Sequence, residues 1–183
     1  MADAAQTMTL EAFADTIIPG EKRYPGDRAI AGVSTGGGAV AGGAIDILNT
    51  DAGGLAAALP DLAAALNGHA EAYAAEHGLT LDADVPPFVA LESADRIALV
   101  STLCGPGHPQ KQIWVNLAVF SNMAWDTGAH MHTHEALAQG HPGLAATGFT
   151  TPDPDGLWRF PHYTYGRQLA QPHPDTTPSG SPA

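Results

Sequence analysis

The first run of apolar positions is Leu10, Phe13, Ala14 and Ile17. They fall at i, i+3, i+4 and i+7, one face of a helix. Thr9 stands where an N-cap hydroxyl can accept from a free backbone N–H of the first turn. Pro19 cannot donate to the helix ladder and turns Ile18 away from helical angles, so the pattern predicts a short amphipathic helix with a hard stop. A polar loop from Glu21 to Asp27, with Pro25-Gly26 inside it, follows. Ile30, Val33, Gly37, Val40, Ala44 and Ile47 are then spaced 3-4-3-4-3. That spacing predicts a long helix from Arg28 to Leu48 with a core stripe of small residues. Gly36–Gly38 and Gly42-Gly43 would each cost about 1 kcal/mol relative to Ala inside such a helix. They imply a close backbone approach or a break. A phosphate loop does not fit, because no GxGxxG follows a strand and no GxxxxGK[ST] occurs.

A second stripe runs through Leu55, Leu59, Leu62, Leu66, His69 and Tyr73 to Gly78, a C′ glycine signal, with Pro60 expected to kink or split it near Leu59. Pro86-Pro87 mark residues 79–92 as an extended connection. Ser93 is placed to cap a helix through Cys104, with Ile97, Val100 and Cys104 inward, and Gly105-Pro106-Gly107 ends it. Pro109 opens a helix to about Trp125 with Ile113, Leu117, Phe120 and Ala124 on one face. After Asp126-Thr127-Gly128, residues 129–138 read as helical. From Gly140 periodicity stops, yet 140–168 carry Phe149, Trp158, Phe160, Tyr163 and Tyr165. Loops rarely hold so many aromatics, so this stretch is expected to wrap and anchor on the bundle. No alternating strand and no internal repeat is found. The fold class is all-α, an irregular bundle of about five or six helices with an aromatic-anchored C-terminal wrap. Residues 1–168 are expected to form one domain and 169–183 a disordered Pro/Ser/Thr-rich tail.

Charge narrows the function classes. The 183 residues carry 7 basic and 19 acidic side chains, a net −12. Such a chain repels phosphate backbones and anionic lipid, which excludes nucleic acid and disfavours membranes as partners. Charged residues are only 14%, against about 25% in ordinary domains, so the surface is small and polar or partly covered by a partner. The single Cys104 excludes an internal disulfide or a Cys-rich zinc module and reads as a buried, inert thiol. No stretch approaches a membrane span, and residues 1–8 lack signal-peptide character, so a cytoplasmic location is expected.

Nine histidines are many for this length. His130, His132 and His134 form a cluster able to hold zinc, copper or iron. On a helix, His130 and His134 share a face while His132 points roughly 200° away. Further ligands or their orienting partners would come from Asp126, Glu135, His108, His141, His162 or His69. The plainer alternative is a polar helix face. Trp114, Trp125, Phe120 and Met123 nearby are core, or the wall of an apolar pocket for a hydrophobic small molecule. HExxH does not occur, and the one GxSxG spacing, Gly32-Val33-Ser34-Thr35-Gly36, follows no strand pattern.

The opening segment Asp15, Ile17, Ile18, Pro19 and Gly20 resembles the start of the gluconate 2-dehydrogenase subunit 3 family. Gly148-Phe149, Leu157-Trp158-Arg159-Phe160-Pro161 and Tyr163-Thr164-Tyr165-Gly166 resemble its glycine-and-aromatic close. The resemblance implies a small helical accessory subunit that carries no cofactor of its own. Its partner would be an FAD-dependent oxidoreductase of the glucose–methanol–choline class, which it stabilises. Members carry a twin-arginine export leader; its lack here points to a cytoplasmic partner. Whether the chain is itself an enzyme stays open, the alternative being a small-molecule oxidoreductase or oxygenase using a metal at His130/His132/His134. A homo-oligomer formed through the small seam around Gly37 and Val40 is a further expectation.

Overall fold

The computed structural model describes residues 4–149 and Asp175. Residues up to Phe149 make one compact unit. Its eight α-helices are α1 (Ala4–Ile17), α2 (Ala44–Leu48), α3 (Leu59–His77), α4 (Pro87–Ala90), α5 (Ser93–Cys104), α6 (Lys111–Thr127), α7 (Thr133–Ala138) and α8 (Pro142–Ala146). No strand occurs among the described residues. The fold is all-α, as the periodicity implies. Of the aromatic close only Gly148-Phe149, and of the tail only Asp175, are among the described residues; the expected boundary at 168 lies outside them.

Helix α1 is the axle of the bundle and packs against α2, α3, α4, α5 and α6. Leu10, Phe13 and Ala14 are buried, as their spacing predicts, and Phe13 packs against Trp114 of α6 with ring centroids 6.3 Å apart. Thr9 is not the N-cap. The helix begins a turn earlier, and Thr9 is buried inside it, its hydroxyl donating to the Ala5 carbonyl at 2.9 Å. That hydroxyl also accepts from Asn67 of α3, whose carbonyl oxygen accepts from the Phe88 N–H of α4. One polar side chain thus ties three helices.

The Leu55–Gly78 element is split at Leu59, as expected: Ala56–Ala58 form a 3-10 turn, and α3 starts at Leu59 with Pro60 in its first turn, where the missing N–H costs nothing. The inward stripe of α3 is Leu59, Ala63, Leu66, Ala70 and Ala74, while Leu62 and Tyr73 are only partly buried. Alanines let the axle approach closely. Gly78, at φ +66°, ends the helix by donating to the Ala74 and Ala75 carbonyls. On α5 the core face is Arg96, Leu99, Val100 and Leu103, so Ile97 faces out and Cys104 is half-buried. On α6 it is Trp114, Leu117, Ser121 and Ala124, and Ile113 faces out.

The largest departure is the predicted helix from Arg28 to Leu48. Only Ala44–Leu48 is helical. Between Ile18 and Gly43 the Glu21 N–H bonds to Gly36 O, the Ala39 N–H to Ile18 O and the Ala31 N–H to Asp15, while only short turns such as Gly42 N–H to Gly38 O form locally, so no continuous helical ladder develops. The seam around Gly37 and Val40 is therefore not a helix face available for self-association.

Candidate functional site

The loop from Ile18 to Gly43 is irregular in path and tightly held. Asp15, in the last turn of α1, is buried and reaches past the helix end. One carboxylate oxygen accepts from the Gly20 N–H at 2.9 Å, the other from the Ala31 N–H at 2.8 Å. The Glu21 N–H donates to Gly36 O at 2.8 Å and the Ala39 N–H to Ile18 O at 3.0 Å, which lays residues 36–39 along 18–21. The approach requires glycine: a Cβ on Gly38 would sit 2.5 Å from both Gly20 N and Ile18 O. The glycine run therefore serves close backbone packing as well as breaking the helix.

Two arginines complete the hold. Arg23 grips Asp27 through Nε at 2.7 Å and Nη2 at 3.1 Å. It also grips Glu11 of α1 through Nη1 at 2.6 Å and Nη2 at 2.8 Å. Burial alone would raise the Asp27 carboxyl; the Arg23 hydrogen bonds, the Ile30 N–H and the Arg23 charge outweigh it and hold the group below the ordinary carboxylate range. Arg96, 5% exposed, is bonded by backbone alone. Nε donates to Leu91 O at 3.0 Å, Nη1 to Ala29 O at 2.8 Å, and Nη2 to Arg28 O at 3.1 Å and Val89 O at 2.6 Å. Burial lowers its pKa, against the favourable fields of Asp15 and Glu92. A guanidinium remains charged even so, and its planar fork ties the loop to α5 and to the end of α4.

The result is a fixed backbone displaying an exposed rim. Val33 is 62% exposed and Tyr24 56%, the two highest values among the described large apolar side chains. The Arg23 guanidinium lies 6.0 Å from the Tyr24 ring centroid. A pre-ordered loop with an aromatic ring, an arginine and an apolar tip has the ingredients of a protein-recognition surface, because little entropy remains to be lost on docking.

The histidines do not converge as expected. Helix α7 begins at Thr133, with His132 as its N-cap residue and Gly128 at φ +60° turning the chain before it. His130 therefore lies outside the helix and does not share a face with His134. Its ring packs over Gly43, where a Cβ would overlap it, and its Nδ1 is buried without a hydrogen-bond partner. Burial lowers the His130 pKa, with a smaller contribution from His141 and an opposing one from Asp46. His141, 5.8 Å from His130 between ring centroids, has both nitrogens engaged: Nδ1 accepts from the Leu144 N–H at 3.3 Å and Nε2 donates to Gly42 O at 3.0 Å. It is a structural clamp between α8 and the loop's end. His132 and His134 are exposed, 6.5 Å apart.

The other candidate ligands are scattered. Asp126 accepts from Asn122 on the surface of α6, and Glu135 is exposed on α7. His108 lies 5.6 Å from His69, and the two are linked through Gln110, whose N–H donates to His108 Nδ1 and whose Oε1 accepts from His69 Nε2. His162 lies outside the described residues. Among the described residues no group of three or more His, Cys, Asp or Glu side chains is placed to hold a metal ion. The apolar groove of the bundle, about 500 Å³ between α1, α5 and α6, contains no histidine. Trp114 is core rather than a pocket wall beside the cluster.

A model of a family of unknown function, DUF5987, matches residues 4–183. The chain belongs to that family. No curated protein and no solved structure matches it. Among the described residues, no helix of this DUF5987 member is long and apolar enough to cross a membrane.

Sequence reasoning missed Arg96 and the role of Asp15. A signal for Arg96 existed. It sits three, four and seven residues before Leu99, Val100 and Leu103, in the core register of α5, and a cation there must find buried acceptors. Asp15 stood inside the resemblance motif, but its partner Ala31 could not be read locally.

Proposed function

We propose that this DUF5987 protein is a non-catalytic accessory subunit, in the cytoplasm, of an FAD-dependent oxidoreductase of the glucose–methanol–choline class. It docks through the loop displayed between Ile18 and Gly38 and stabilises the larger subunit. The observation carrying this reading is that Asp15, Asp27, Arg23 and Arg96 hold an exposed loop in one conformation. Burying an arginine and two carboxylates costs stability unless each is fully bonded. The residues resembling the accessory-subunit family, Asp15 to Gly20, are those that set the loop's entry.

Co-expression with a flavoprotein of that class from the same organism tests the reading. A stoichiometric complex, and more soluble FAD-loaded flavoprotein when the subunit is present, is the expected result. Two separate species, with flavoprotein yield unchanged, refutes it. Tyr24→Ala with Val33→Ser leaves the fold intact and is expected to weaken the complex by about 10-fold to 100-fold, the range for losing a single interface anchor.

A further inference from the structure

Helices α1, α5 and α6 line an open groove, with Thr16 and Ile17 of α1 as one wall. Ile97 (51% exposed) and Val119 (48%) stand at its edges, with Val115, Ala118 and Cys104 inside. The lining of the groove is apolar on a chain that is acidic overall. The stripe of α6 along it runs Lys111, Val115, Val119, Asn122 and Asp126, spaced 4-4-3-4. Turned about a two-fold axis between Ala118 and Val119, it sets Lys111 against Asp126 at each end, Val115 against Asn122, and Val119 against Ala118. Lys111 lies at the Cys104 end, where its field opposes the rise that burial gives the thiol pKa. Lys111 and Asp126 are 15 positions apart on one helix, about 22 Å.

We propose that a second copy of this chain fills the groove, with the two α6 helices antiparallel about a two-fold axis at Ala118–Val119. Each α6 lies in the groove between α5 and α6 of its mate, giving a four-helix contact. Lys111 of each copy pairs with Asp126 of the other. A self-complementary patch of this kind is what a two-fold dimer requires. A different protein would need an independent match to both charges. Repulsion between two acidic copies reaches only about 8 Å at physiological salt, and the stripe itself is neutral. This surface uses residues other than those of the docking loop, so the two readings stand or fall separately.

Sedimentation velocity of the whole chain at physiological salt, across a concentration series, is the test. A dimer is expected. Val119→Asp, checked by circular dichroism for unchanged helix content, is expected to give a monomer. Lys111→Asp places two like-charged pairs across the axis and is expected to weaken the dimer about tenfold, as two exposed pairs allow; Lys111→Asp with Asp126→Lys is expected to restore it. The maleimide reaction of Cys104 slows as the dimer forms. A monomer throughout the series overturns the proposal. So does a dimer indifferent to Val119→Asp, or one that the double charge reversal does not restore.

Discussion

The loop from Ile18 to Gly43 and the α5–α6 face present opposite solutions to surface display. The helical face needs no buried polar group: its backbone is satisfied internally, and its character comes from side chains such as Ile97 and Val119. The loop satisfies only part of its backbone from within itself. Its N–H groups go to Asp15 and Asp27, its carbonyls at Arg28 and Ala29 to Arg96, and its glycines permit the pairing of 18–21 with 36–39. A surface made by a helix tolerates change in any one residue. A surface made by buried charge fails when one distant residue is lost.

The most severe way to break that contrast is Arg96→Met. It leaves the carbonyls of Leu91, Ala29, Arg28 and Val89 without their donor. A loss of about 3–5 kcal/mol is expected, read from the urea midpoint. Asp15→Ala strands the Gly20 and Ala31 N–H groups and should cost about 2–4 kcal/mol, with loss of the partner complex before global unfolding. Gly38→Ala forces Cβ into Gly20 N and Ile18 O and should cost about 1–3 kcal/mol, as overpacking does. Val119→Asp, on the helical face, should abolish the dimer and, compared at a concentration where both proteins are monomeric, shift stability by less than about 0.5 kcal/mol.

The smallest effect is a pH dependence. His130 has a folded pKa below its unfolded value of 6.5. Between those two values the unfolded chain binds more protons, so stability falls as pH drops below 6.5 and is fully present above it. His130→Gln should flatten that slope in urea titrations between pH 7 and pH 5, a range set by the ordinary histidine pKa. An unchanged slope would mean that the His130 ring is solvated.

Much of the helical framework was legible. The Leu10–Phe13–Ala14 stripe and the Gly78 stop depend on neighbours within a few turns, which periodicity captures. The loop was not legible, because its determinants lie far apart: Asp15 with Ala31, and Arg96 with Arg28 and Ala29. Its 3-4-3-4-3 spacing imitates a helix, since small and apolar residues packed against a backbone can recur at that interval by chance; Val33, nominally on that stripe, faces solvent. The inward faces of α5 and α6 were misregistered because Ile97 and Ile113 outrank Arg96 and Ser121 in hydrophobicity, while tertiary packing chose the latter positions. The pairing of His130 with His134 on one face required a helix extended back to His130. The turn at Gly128 and the late start of α7 remove that geometry.

Amide hydrogen exchange of the chain alone and with the co-purified flavoprotein tests the account most directly. In the free chain the Gly20, Ala31 and Ala39 N–H groups should exchange as slowly as those of α1, and residues 21–36 should gain protection in the complex. Fast exchange at those three amides in the free chain, or protection that appears elsewhere and leaves 21–36 unchanged, contradicts the claim that a charge-held loop is the docking surface.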